Sequence, residues 1–239
     1  MKVFGARPFR DLAPASVVRS TRVEGWSLRM KPSTLGWVLI ALVVTSPCAS
    51  GGVIRGKLRL PPGSAAIGPT SAAIQGGPED AVVYIEGLPE KVERKLSRKV
   101  DRPKIVLAGH RFTPRVLPVA MGTTVRFQNQ DRVYHNTFSV SPTRRFDLGK
   151  YAPGRSKRVT FDRVGVVNLY CDIHPTMAGF VVVLPHRVFT QPGRSGDFAF
   201  PNLPPGTYTV KVWHPRLGER SREVEIPRRG NVTLRLSFT

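Results

Sequence analysis

Tyr134-His135-Asn136 and, after thirty-five intervening residues counted from His135, Cys171-Asp172-Ile173-His174-Pro175-Thr176-Met177 decide how this chain is read. Together they offer one thiolate (Cys171), two imidazoles (His135, His174) and one thioether (Met177). Thiolate and thioether select a soft metal, imidazoles hold copper in both of its common oxidation states, and two His and one Cys in a plane with a long axial Met is an electron-transfer arrangement. A structural zinc site more often draws four strong Cys and His ligands, commonly as paired Cys-x-x-Cys, and this chain has only two cysteines. The plain alternative is that four such residues stand near one another by chance. The spacing speaks against it, because three of them fall within seven residues and the chain must turn back after Cys171 to aim His174 and Met177 at one ion. Pro175 suits that turn.

On both sides the sequence reads as strand. Val164 to Tyr170 runs into Cys171, and Gly179-Phe180-Val181-Val182-Val183-Leu184 leaves after Met177, both apolar and β-branched. The ligand loop is therefore expected to join two neighbouring strands at one end of a sheet.

Over residues 103–185 the pattern resembles the cupredoxins, the plastocyanin, azurin and amicyanin group. The residues that carry the resemblance are Ile105 to Leu107, Phe112 to Val116 and Gly122 to Asp131 as opening strands, His135-Asn136, and the short loop Cys171-x-x-His174-Pro175-x-Met177 of the amicyanin type. It implies one blue copper ion per chain, with Cys171 as thiolate ligand, His135 and His174 as equatorial imidazoles and Met177 as weak axial ligand. Behind them, Asn136 matches a residue that ties the two ligand loops together and whose amide faces the thiolate. Amicyanin-like loops tend to carry Pro where this chain has Ile173, so a second amide could reach the sulfur here. N–H groups aimed at a bound thiolate lower its electron density, favour Cu(I) and raise the reduction potential.

The 239 residues hold 22 Pro and 22 Gly among a hydrophobic fraction of 41%, which suits an all-β protein with many turns. Leu35 to Thr45 is uncharged and almost wholly apolar, with Met30-Lys31 before it and Cys48-Ala49-Ser50-Gly51-Gly52 after it. This reads as a secretory signal, too short for the roughly 20 residues of a membrane span. The long basic stretch before Met30 is accounted for if translation starts at Met30. Export to the periplasm or beyond follows, with no transmembrane helix in the mature chain. Cleavage after Ser50 would leave Cys171 as the single cysteine; lipid anchoring at Cys48 is the less favoured reading, because Pro47 stands where such signals want a small residue.

Formal net charge is +21, and +16 remains once residues 1–50 are removed, 30 Lys or Arg against 14 Asp or Glu. Such a charge steers acidic partners toward the surface, although 27 Arg against 10 Lys also fits a GC-rich coding bias. Nucleic acid is not expected as a partner, since the arginines are spread through strands and turns and no basic helix carries them.

Outside residues 101–185, two flanks read as halves of one module. Gly52 to Leu60 and Asp80 to Gly87 read as strands separated by a Pro, Gly, Ser and Ala-rich loop, and Gly196 to Trp213 resembles the carboxypeptidase regulatory-like, transthyretin-type β-sandwich, with Arg220 to Ile226 and Asn231 to Phe238 to finish it. The expected architecture is a cupredoxin Greek-key β-sandwich plus a small carboxypeptidase regulatory-like β-sandwich: 1–50 leader and signal peptide, 51–100 first strands and connector, 101–185 copper domain, 186–239 remaining strands. The simpler alternative is a tandem arrangement. Residues 89–99 read as a solvated connector, and His110, His186 and His214 as surface or turn residues. No catalytic set is evident, and four protein ligands leave no open position of the kind catalytic metals keep. The expected function is an exported one-electron carrier with a protein redox partner, an acidic one on the charge argument; copper storage without redox turnover, or a cell-surface binding module, are the alternatives.

Overall fold

A computed structural model describes residues 51–61, 76–96 and 102–238. The leader, the signal segment, Cys48 and most of the loop 61–78 lie outside the described residues. The described chain is all-β, with one 3-10 turn at Pro78–Asp80 and one short α-helix.

Alternation makes the first strand. In β1 (Ile54–Arg59) Ile54, Gly56 and Leu58 are buried while Arg55, Lys57 and Arg59 face water. The inward glycine is required: a Cβ at Gly56 would stand 2.1 Å from the Phe198 ring. β1 pairs in parallel with β16 (Val232–Ser237) and antiparallel with β13 (Asp197–Ala199), forming a three-stranded sheet with β1 at its centre. A second sheet runs β12 (Phe189–Thr190), β2 (Val82–Glu86), β14 (Gly206–His214), β15 (Gly218–Ile226), the last two a long hairpin. Ile54, Val83, Ile85, Phe200, Val210 and Leu234 belong to the core between these sheets, each fully buried side chain of this kind contributing about 1.5–3 kcal/mol.

Residues 89–99, expected as a solvated connector, instead contain a helix, α1 (Glu90–Leu96). Val92 and Leu96, one turn apart, pack on the first core, and Glu90 meets Arg94 at 3.3 Å on the outer face. A seven-residue helix is marginal alone, so it is the tertiary contact that fixes it. His186 and His214, expected as surface or turn residues, are buried at a bend and at the end of β14. The His186 ring bonds the Ile85 carbonyl and accepts the Val188 amide at 3.2 Å, and His214 packs by Phe238.

The second sandwich holds the motif. One sheet runs β4 (Phe112–Thr113), β3 (Lys104–Leu107), β6 (Thr123–Asn129), β9 (Ser156–Phe161); the other runs β5 (Val116–Ala120), β11 (Ala178–Leu184), β10 (Gly165–Tyr170), β7 (Phe138–Ser139), β8 (Phe146–Asp147). β3 lies parallel to β6 and β5 parallel to β11, so the chain crosses between sheets instead of meandering. Ile105, Phe127, Phe161, Leu169 and Val181 belong to the core between them.

The two sandwiches meet through Val82 from β2 and Val116, Val182 and Leu184 from β5 and β11, with Tyr84, Phe180 and Trp213 packed around them. β11 is therefore apolar on both faces, which accounts for an unbroken run where a one-sided strand would alternate. Arg115 and Asp80 form an ion pair of 3.2 Å with side chains only 17% and 13% exposed. Burial draws the Arg115 guanidinium below its ordinary range and pushes the Asp80 carboxyl up, each partner working against that shift.

Candidate metal centre

Strand pairing explains how distant residues meet. β10 and β11 pair from Gly165↔Val183 to Tyr170↔Ala178, so residues 171–177 form the loop at the end of that hairpin, as the sequence leads one to expect. Within it the Met177 amide donates to the His174 carbonyl at 2.9 Å, closing the turn that contains Pro175. On the other side of β10, Phe138 pairs with Tyr170, which lays residues 135–137 beside Cys171.

The loop before β7 is held by polar groups. Asn129, wholly buried at the end of β6, donates to the Val133 and Tyr151 carbonyls at 2.8 and 3.1 Å and accepts the Asp131 amide at 3.0 Å. His135 bridges Tyr151 with two backbone bonds and is itself 0% exposed. The Tyr151 hydroxyl lies 2.8 Å from Thr137 Oγ1; burial pushes its pKa up to about 12, the Thr137 bond working against that shift and the neighbouring Cys171 adding to it.

His135, Cys171 and His174 converge. His135 Nδ1 and His174 Nδ1 are 3.1 Å apart, and Cys171 Sγ is 3.8 and 3.9 Å from them. All three donor atoms lie within 4.8 Å of one another. A point in their plane about 2.05 Å from each nitrogen lies about 2.2 Å from the sulfur, close to the bonds of about 2.0–2.1 Å and 2.3 Å that imidazole and thiolate make to a first-row ion. The donor set fits a metal. Met177 ends the same loop, 1% exposed and part of the core that contains Cys171.

Asp131, four residues before His135, carries no motif that announces its role. Its Oδ2 lies 2.8 Å from His135 Nε2, which fixes the proton there and leaves Nδ1 free as a donor atom. The same carboxylate accepts the amides of Gly109 and His110 at 2.6 and 3.0 Å. Burial would raise the Asp131 pKa, but these two amides and His135 hold it below the ordinary carboxylate value. His174 is half-buried; burial first, then the neighbouring imidazoles of His135 and His110, lower its pKa against the pull of Asp131. A neutral imidazole is the form that binds metal.

The Asn136 side chain donates to Asp147 Oδ1 at 2.9 Å and accepts the Thr137 amide at 2.6 Å, so it ties its loop to β8 and not to the Cys171–Met177 loop. Ile173 packs on the core edge. The polar atoms within hydrogen-bonding reach of Cys171 Sγ, among the described residues, are the two imidazole nitrogens and not the Asn136 or Ile173 amide. His110 is exposed in its turn, as expected, yet its ring centroid stands 4.4 Å from that of His174.

No family model and no curated protein matches the chain. Solved structures similar to it include a purple cupredoxin from Nitrosopumilus maritimus, 26% identical with a TM-score of 0.32, covering 34% of this chain and 99% of that one. An oxidized amicyanin variant is 23% identical with a TM-score of 0.34, over 35% of this chain and 83% of that one. A copper-containing nitrite reductase from Thermus scotoductus is 26% identical with a TM-score of 0.34, over 41% of this chain and 27% of that one. Each of the three covers less than half of this chain.

Proposed function

We propose that the chain is an exported mononuclear blue copper protein that carries single electrons. His135, Cys171 and His174 would hold one copper ion, and Met177 would be a further, weaker donor. The carrying observation is the triangle of 3.1, 3.8 and 3.9 Å closed by two imidazoles and one buried cysteine. A copper ion held so supplies a one-electron couple whose thiolate ligand gives intense visible absorption. The protein's part is to hold the donors where either oxidation state is accepted, and it does so with rigid elements: the β10–β11 hairpin, the His135–Tyr151 bridge and the Asp131 carboxylate. Cys171 is 3% exposed, which shields the sulfur from water and oxidants, while half-buried His174 brings one edge of the group to the surface for electron transfer.

An acidic redox partner is supported by a ladder of like charges. Lys104 stands opposite Arg126, and Arg126 opposite Arg158, on three adjacent strands of the β4-β3-β6-β9 sheet. Like charges directly opposite are destabilising, so such a row is better explained by an anionic surface that docks on it. No helix among the described residues is long and apolar enough to cross a membrane. The reading includes removal of residues 1–50, a carrier and not a catalytic role, and a copper module of residues 101–185 inserted into a sandwich made by 51–100 and 186–239; the pairing of β1 with β16 and of β2 with β14 supports the last point.

The test is an optical and paramagnetic resonance spectrum of the mature protein with one equivalent of Cu(II). The expected result is an intense visible thiolate-to-copper band, absent in Cys171→Ala. A colourless wild-type complex, or a band that survives in Cys171→Ala, sinks the reading.

A further inference from the structure

His110 has no role in the centre described above, yet the fold holds it against that centre. It lies in the turn between β3 and β4 with φ +56°, a left-handed backbone that is uncommon outside glycine and for which His is among the better-suited residues. The turn is pinned there by Asp131, whose two oxygens accept the Gly109 and His110 amides while one of them also meets His135 Nε2. One carboxylate thus meets the innermost imidazole and pins the backbone that carries the outermost one.

The result is a cluster of three rings in which His174 packs against both of the others. Centroids of His110 and His174 are 4.4 Å apart, those of His174 and His135 4.6 Å, and those of His110 and His135 5.8 Å. Exposure falls from exposed His110 through half-buried His174 to His135 at 0%. His174 is common to the outer pair and to the inner triangle.

We propose that His110 and His174 form a receiving pair for copper at the rim, from which the ion passes inward to His135 and Cys171. This rests on the copper reading above. A hydrated Cu(II) ion exchanges two waters for the two imidazoles without any electron moving. It then gives up the His110 nitrogen and one further bound water for His135 Nδ1 and the Cys171 sulfur while His174 stays bound, and the thiol proton leaves to solvent. The mechanism needs a shared ligand between outer and inner sites, which His174 is, and a solvent-facing donor beside it, which His110 is. A thiol only 3% exposed offers a hydrated ion little surface of its own.

The test is rapid mixing of metal-free full-length protein with Cu(II) alone, following growth of the thiolate-to-copper band in wild type and in His110→Asn, with His110→Gly as a second variant. Asn and Gly both accept the left-handed backbone, so the turn and the Asp131 clamp are kept. Loading is expected to slow at least tenfold in both variants, and the final band to match wild type. In Cys171→Ala, which cannot form the inner site, Cu(II) bound through imidazoles is expected to bind about tenfold more weakly when His110→Asn is added. Equal loading rates, or faster loading in the variants, overturn the proposal. So does loss of the final band in folded His110→Asn, which would make His110 a ligand of the final centre. A wild-type protein that never develops the band defeats the copper-centre reading instead, and the paired Cu(II) affinities in the Cys171→Ala background still decide whether His110 receives the metal.

Discussion

The two sandwiches are made of the same kind of strand and differ in what their interiors hold. Among the described residues, six of the eight buried polar ones fall between Asn129 and Ser141, at one end of the second sandwich, whereas the other two, His186 and His214, belong to the first. Burying polar groups costs free energy unless each finds a partner. In the second sandwich they do find partners, in Asn129 with two carbonyls, Thr137 with Tyr151, and His135 with Asp131. The comparison shows where the fold spends stability on position: the first core holds sheets together, and the second also holds three donor atoms at fixed separations.

The largest effect that would break this comparison comes from cutting the chain. A fragment of residues 101–185 is expected to fold and bind copper, whereas 186–239 alone is expected to show no cooperative unfolding transition by circular dichroism, because β1 is the central strand of one sheet and β2 is paired on both sides in the other. Cooperative unfolding of the isolated C-terminal piece would restore the tandem arrangement. Next in size, Phe200→Ala removes a side chain 2% exposed from the first core and should cost about 3–5 kcal/mol in urea unfolding. The visible band of folded protein should be unchanged, and a shifted band would mean the two interiors are coupled.

At the junction, Asp80→Ala leaves Arg115 charged and without its carboxylate partner, and should cost about 2 kcal/mol. The double variant Asp80→Leu with Arg115→Met should lie within about 1 kcal/mol of wild type, since burial works against both charges. A double variant as unstable as the single one would refute that account. Within the site, Met177→Leu is expected to keep copper and raise the reduction potential by voltammetry, because loss of a thioether donor disfavours Cu(II). An unchanged potential would make Met177 a core residue and nothing more.

The smallest effect expected is a pH dependence in the first sandwich. Burial lowers the His214 pKa below its ordinary 6.5. A folded pKa below the unfolded one means that the unfolded chain binds the proton more readily, so the stability is fully present above pH 6.5 and falls as pH drops below it. Thermal unfolding of metal-free protein should therefore weaken between pH 7.5 and 5 by less in His214→Phe than in wild type. Equal slopes would show that His214 carries no linked proton.

Much of the site was legible because its residues are local. Cys171, His174 and Met177 share one loop, and a strand on each side of it shows in the β-branched runs. Asp131 and the placement of His110 were not legible, for a topological reason. β3 and β6 are parallel with Leu107 opposite Asn129, so both leave the sheet at the same end and the turn after one lies against the loop after the other. Nothing in the spacing of residues 107 to 131 announces that pairing. The same holds for α1, whose charged sequence hides Val92 and Leu96 as anchors, and for His186 and His214, whose burial depends on carbonyls and rings from other strands.

By itself, then, the sequence determined the period-two strands, the all-β class and the donor types, because those follow from side-chain chemistry and from residues a few positions apart. Tertiary structure alone decided which carboxylate orients His135, where Asn136 spends its hydrogen bonds, and that a third imidazole stands beside His174. Those depend on which strand ends are brought side by side, a consequence of sheet order and parallel pairing that no local stretch of chain contains.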